Sequence, residues 1–169
     1  MTKQQLIEQL QLERHIEGGY FKRSYQSDHQ PPMDTPVGKR LRISSIYYLL
    51  TDDAPIGRWH LNQSDILHYF HRGDPIRYYL IDEQGELTTH LLGPDPSLGH
   101  CLQLAVKGGT WKASQLEQGN YGLLSEAVCP GFEYQDMQLG EASRLLAQFP
   151  QHRQQILALL PNSSGAPSL

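Results

Sequence analysis

The pattern of apolar and polar positions has a helical period at both ends of the chain and a strand period between them. Leu6, Ile7 and Leu10 recur at helical spacing behind Thr2, a good N-cap, so a short amphipathic helix is predicted to end before His15. The period then becomes two. Glu17-Gly18-Gly19-Tyr20-Phe21-Lys22-Arg23-Ser24-Tyr25 sets aromatics among charges after a glycine pair and predicts the first strand. Residues 28 to 38 hold prolines, aspartates and a glycine without any period, which reads as a loop. Residues 42 to 50 are β-branched and aromatic and stop at Thr51-Asp52-Asp53-Ala54-Pro55, so they predict a central strand.

Residues 59 to 75 predict a further strand, closed by Gly73-Asp74-Pro75. Residues 76 to 81 and 87 to 92 flank the turn Asp82-Glu83-Gln84-Gly85, and residues 101 to 106 and 110 to 114 flank Gly108-Gly109. Residues 121 to 129 run into Pro130-Gly131-Phe132, and 133 to 139 predict the last strand. About nine or ten short strands with no helix between them argue for an all-β antiparallel sandwich or barrel rather than alternating βαβ units. The helical period returns at Leu145, Leu146 and Phe149 and, after Pro150, at Ile156, Leu157, Leu159 and Leu160, giving two short helices. The reading is one domain over residues 1–161, with no repeat, and a small polar tail over 162–169 expected to be disordered.

Composition narrows the function classes. The net charge of -4 and the scattered 14 lysines and arginines give no basic stripe, so nucleic acid is not expected as a partner. No run approaches the roughly eighteen apolar residues of a membrane span and residues 1 to 5 lack an apolar leader core, so the expected location is cytoplasmic, away from membranes. Cys101 and Cys129 show no CxxC spacing and read as ordinary thiols of a reducing compartment, with a bridge left open. Cys129 is expected to be a small buried hydrophobe.

The segment from Trp59 to Pro75 concentrates the groups that bind or exchange protons: His60, Asn62, Asp65, His68 and His71. Its Tyr69-Phe70 pair and its flanking glycines suit a strand better than a helix.

Five motifs in order carry a family resemblance: Glu17-Gly18-Gly19-Tyr20, Ser45-Ile46-Tyr47-Tyr48-Leu49-Leu50, Trp59-His60 with Asp65 and Gly73-Asp74-Pro75, Gly109-x-Trp111, and Val128-x-Pro130-Gly131-Phe132. The chain resembles the DUF985 family of the cupin superfamily over nearly its whole length. The resemblance implies a double-stranded β-helix, that is, a jelly-roll barrel with a pocket inside one mouth, and a homodimer. It implies no particular reaction, because this barrel hosts many. The general cupin motifs place metal ligands where this chain has His60, Asn62, Ile66 and Lys112. One ligand of four is kept, so no metal and no other cofactor is expected, although His68 is the residue that would join His60 in an altered site. The chain also departs from the DUF985 pattern at Ile66 and at His68.

With His60, Asn62 and Ile66 facing inward, alternation turns His68 and Phe70 inward too and sends Asp65, Leu67, Tyr69 and His71 outward. A neutral structural histidine is an equal alternative for His68. Lys112 either pairs with an anion, Glu17 being the candidate, or reaches solvent at the mouth. One of Tyr47 and Tyr48 faces the pocket; Tyr47 and Trp111 are assigned as its aromatic wall. His15, His90, His100 and His152 are given no role, and Asp65 is assigned to a turn. The functional reading is a small acidic or carbohydrate-like ligand bound by Asn62, His68, Lys112, Tyr47, Trp111 and Glu17. Catalysis, if present, is metal-independent isomerisation or epimerisation with His60 as general base. The alternative is a non-catalytic ligand-binding or sensing module.

Overall fold

The computed structural model describes residues 1–160, and the tail expected over 162–169 lies outside the described residues. Helix α1 (Lys3–Gln9) begins with a capping box, in which the Thr2 side chain accepts from the Gln5 backbone and the Gln5 side chain accepts from the Thr2 backbone. Next come β1 (Glu13–Arg14), β2 (Tyr20–Gln26), β3 (Met33–Thr35), β4 (Gly38–Arg40), β5 (Ser44–Thr51), β6 (Ile56–Asn62), β7 (Asp65–Gly73), β8 (Ile76–Ile81) and β9 (Leu87–Leu92). The chain continues through β10 (Gln103–Val106), β11 (Trp111–Gln115), β12 (Tyr121–Cys129), β13 (Met137–Leu139), α2 (Ala142–Gln148) and α3 (Arg153–Ala158).

A six-stranded sheet in the order β1-β2-β5-β12-β7-β10 faces a five-stranded sheet in the order β13-β6-β11-β8-β9, and their ladders are antiparallel. This is a jelly-roll barrel. β5 is indeed interior to its sheet, and the β8–β9 hairpin turns where expected. Between the sheets, Tyr48, Leu50, Ile76, Tyr78, Leu80 and Leu124 fill one half of the interior. On the outer face of the five-stranded sheet, Trp59, Trp111 and Ala113 are covered by Leu145, Phe149, Ile156 and Leu159 of the terminal helices. On the outer face of the six-stranded sheet, α1 lays Leu6 over Leu49 and Leu123, with Tyr47 beside them.

Several boundaries differ from the sequence reading. Residues 59 to 75 form two strands in opposite sheets, because Asn62-Gln63-Ser64-Asp65 turns the chain. Gln63 N donates to Asp136 O at 3.0 Å, and Asp65 Oδ1 accepts from Gly108 N at 2.8 Å, so both flanks of the turn are held by distant loops. Asp65 therefore ties down the β10–β11 connection rather than its own turn. Gly108-Gly109 does not close a hairpin: β10 pairs with β7 and β11 with β6 and β8, so the glycines carry the chain from one sheet to the other. The loop expected over 28 to 38 is interrupted by the β3–β4 hairpin, which runs on to Arg40 and is anchored by a bidentate pair from Arg40 to Asp136 at 2.6 Å on each arm. The last strand starts late, since Tyr134–Asp136 is a 3-10 turn that delivers Asp136 to Arg40. Cys129 is exposed at the end of β12, not buried, and both cysteines are free thiols.

Candidate functional site

Two local irregularities aim the site's side chains. In the β6–β11 ladder Lys112 faces His60 while Ser114 faces Gly57, so β6 carries one extra residue. That bulge lets Gly57 and His60 both face the interior although Trp59 packs outside. The second is the turn after β1. Gly18 has φ +103, and a Cβ there would lie 2.1 Å from Ile56 O, so only glycine lets this turn press onto β6. Arg58 N donates to Glu17 O at 2.6 Å, and the turn inserts His15 and Glu17 among the interior groups.

The interior polar groups form two clusters. In the first, Lys112 Nζ donates to His68 Nε2 at 2.8 Å and lies 3.5 Å from Glu126 Oε2. An ammonium can only donate, so His68 Nε2 holds a lone pair and its proton sits on Nδ1, which donates to Leu104 O at 3.3 Å. His68 is a neutral imidazole. Glu126 stands opposite it across the β7–β12 ladder, its Oε1 3.4 Å from Nε2. Burial acts to raise the Glu126 carboxyl, but Lys112 together with His68 and His60 outweighs it and holds the group below the usual carboxylate range.

In the second cluster, His60 Nδ1 donates to Arg58 O at 2.7 Å, which leaves Nε2 as a buried lone pair with no donor of its own, 3.3 Å from Glu17 Oε2. His15 Nδ1 accepts from Glu17 N at 3.2 Å and lies 3.5 Å from the same carboxyl oxygen. Burial, assisted for His60 by the Lys112 charge, drops His60 to about 3, and burial drops His15 to about 4. Burial pushes the Glu17 carboxyl up to about 8. A neutral Glu17 has a proton to donate to His60 Nε2, which satisfies the lone pair that otherwise lacks a partner.

Glu17 and Glu126 line one cavity together with His15, Asn62 and Ile66. Its inner space is about 40 Å³, and Phe21, Ile46, Phe132 and Tyr134 wall the way out. Lys112, His60 and His68 stand behind this lining, buried to 3%, 3% and 0% exposure.

Of the residues predicted from sequence, His60, Asn62, His68, Lys112 and Glu17 converge here. Lys112 does not reach solvent, and its carboxylate partner is Glu126 rather than Glu17. Tyr47 is not in the pocket: it lies on the outer face beside His71 and α1, while the next residue in β5, Tyr48, faces inward and its hydroxyl donates to Gly18 O at 2.9 Å. Trp111 is likewise outside, under the terminal helices, because its neighbour Lys112 takes the inward position. His15 belongs to the site although its sequence position suggested no role. Glu126 was not singled out, yet it carried a signal: it interrupts the inward apolar series Leu124, Glu126, Val128 with a charge.

The residues do not fit a divalent ion. Among the described residues no three His, Cys, Asp or Glu side chains gather as a metal site. Lys112 places a positive charge between His68 and Glu126, and Asn62 and Ile66 occupy two of the positions where ligands are required.

A jelly-roll barrel with its polar groups inside one mouth defines a cupin. The chain belongs to the DUF985 family of that superfamily, whose model, described as "Cupin superfamily (DUF985)", matches residues 4–140. It is 39% identical over 146 residues to the uncharacterized protein YML079W of Saccharomyces cerevisiae, covering 79% of this chain and 72% of the yeast protein. Among solved structures, a hypothetical protein from Leishmania major superposes with a TM-score of 0.88 at 30% identity, covering 96% of this chain and 100% of that one. Protein SO0799 from Shewanella oneidensis superposes with a TM-score of 0.87 at 34% identity, covering 96% and 99%.

Proposed function

We propose that the barrel binds a small carbohydrate-like molecule and exchanges protons with it, as a metal-independent isomerase or epimerase. The observation behind this reading is that Glu17 and Glu126 line the same cavity in opposite protonation states. A pair of carboxyls whose environments push them apart supplies an acid and a base at one pH. Glu126, ionised, is the base; Glu17, protonated and backed by His60, is the acid. His60 is then the partner of the acid rather than the general base, since its free nitrogen, Nε2, faces Glu17 Oε2 at 3.3 Å and the ring stands behind the cavity lining. Lys112 holds Glu126 ionised.

The charge balance also bears on the ligand. Glu126 takes up the charge of Lys112, so the floor of the cavity suits hydroxyl or carbonyl groups better than a deeply inserted anion. About 40 Å³ holds two or three waters or one small polar end, not a whole sugar ring. The body of the ligand therefore sits between Phe21, Phe132 and Tyr134. The same small volume favours a second reading, in which the barrel grips one end of a ligand without turning it over. No helix is long and apolar enough to cross a membrane among the described residues. The proposal keeps a single-domain homodimer, as the family resemblance implies, and a reducing compartment for the two free thiols.

The experiment is a thermal-shift screen of neutral sugars, sugar phosphates and uronates, followed by proton NMR of each stabilising compound with the protein in D2O. Enzyme-dependent loss of one carbon-bound proton signal, abolished by Glu126→Gln while binding persists, supports the acid–base reading. Binding with no exchange at any position supports the sensing module instead.

A further inference from the structure

The mouth of the cavity carries a cation with no carboxylate partner among the described residues. Arg23 lines the opening from the middle of β2, two residues beyond Phe21 on the same face. Its Nη1 donates to Gln26 Oε1 at 3.1 Å and its Nη2 to Phe132 O at 3.3 Å. Both acceptors are uncharged, so they fix the guanidinium over the opening without cancelling its charge. Among the described residues no carboxylate pairs with Arg23, which is the one lysine or arginine in the lining of this cavity, whereas Lys112 behind the floor is paired with Glu126. The contrast with Lys112 assigns the two ends of the cavity different chemistry. The floor is charge-balanced by the Lys112–Glu126 pair, while the rim has a planar donor held by two hydrogen bonds, with further N–H groups left over.

Building on the carbohydrate-binding reading above, we infer that the ligand is two-ended, with a hydroxyl- or carbonyl-bearing end at Glu17 and Glu126 and a phosphate or carboxylate at Arg23. A guanidinium offers two parallel N–H groups to a planar or tetrahedral oxyanion. Phe132 and Tyr134, whose rings meet edge to face at 5.3 Å, flank the path between the two ends. An anion at the rim keeps most of its hydration, so it avoids the desolvation cost that would meet it beside Glu126. The rim therefore selects the ligand's charge and the floor selects its hydroxyl pattern.

The test uses glucose, glucose 6-phosphate, glucuronate and inorganic phosphate as probes of the wild-type protein and Arg23→Gln, followed by proton–nitrogen NMR. The Arg23 Nε–H reports the rim, and the Asn62 side-chain amide and the Ile66 backbone amide report the floor. The expected result is that the two anionic sugars move both sets of signals and bind about tenfold more tightly than glucose. Arg23→Gln removes that preference and leaves glucose binding unchanged. The phosphate and carboxylate arms distinguish which oxyanion the rim prefers. A preference that survives Arg23→Gln, or an Arg23 signal that no anion moves, overturns the inference while leaving the floor site intact. Movement of Arg23 by inorganic phosphate, with no response of Asn62 and Ile66 to any sugar, rejects the polyol floor and with it the two-ended ligand, leaving a bare anion hook.

Discussion

Lys112 Nζ stands 2.8 Å from His68 Nε2 and 3.5 Å from Glu126 Oε2, so one buried ammonium fixes a histidine as neutral and a glutamate as ionised. Removing it strands a buried carboxylate. Lys112→Met is expected to lower unfolding free energy at neutral pH by about 3 kcal/mol, the cost of breaking a buried ion pair from one side. Adding Glu126→Gln restores most of that loss. Urea denaturation of the two single variants and the double variant measures the coupling, and simple additivity would show that the pair is not a unit.

Glu17 gives stability a slope on the alkaline side of neutrality. Its carboxyl titrates near 4.5 when unfolded and at about 8 when folded, so the folded state keeps a proton that the unfolded state has released. Its contribution is full below the unfolded value and is lost as pH rises through the folded one. His15 and His60, lowered on folding, act with the opposite sign at pH below their ordinary value of 6.5. His68 and His71 are lowered as well, and all four histidines are still half protonated in the unfolded chain at pH 6.5, so Glu17 is isolated by the difference between wild type and Glu17→Gln, in which the histidines cancel. From pH 6.5 to about 8 the stability of the wild type should fall relative to Glu17→Gln by about 2 kcal/mol. A difference that stays constant over that interval would place the Glu17 proton elsewhere.

Gly18 couples backbone geometry to the site. A methyl at this position meets Ile56 O at 2.1 Å in a region of positive φ, so Gly18→Ala must move the turn off β6. The expected loss is about 2 to 3 kcal/mol. Since the movement carries Glu17 away from His60, the alkaline slope should vanish as well. Equilibrium unfolding at two pH values measures both effects, and a destabilised variant that keeps the slope would uncouple the turn from the proton.

Much of this arrangement is legible in the chain. Alternation over residues 59 to 75 correctly separates inward His60, Asn62, Ile66 and His68 from outward Asp65 and His71, because the turn at Gln63-Ser64 preserves parity between β6 and β7. Alternation does not reveal that those strands lie in opposite sheets. It also cannot choose between Tyr47 and Tyr48 until the register with β12 is known, and the β6 bulge breaks the rule at Arg58 and Trp59. The missed residues are long-range meetings: Glu126 on β12 joins Lys112 on β11 from the opposite sheet, and His15 reaches Glu17 through a turn whose shape depends on Ile56. Charge-cluster reading of one segment, however dense, misses partners supplied by distant strands.

The opposite protonation of two carboxyls in one cavity is tested most directly by titrating glutamate carboxyl carbons by NMR, with Glu17→Gln and Glu126→Gln used to assign the resonances. The account predicts that the Glu17 signal titrates near 8, while the Glu126 signal stays in its ionised position to the acid end of the range where the protein is folded. Both signals titrating together between about 4 and 5, as exposed glutamates do, would contradict it.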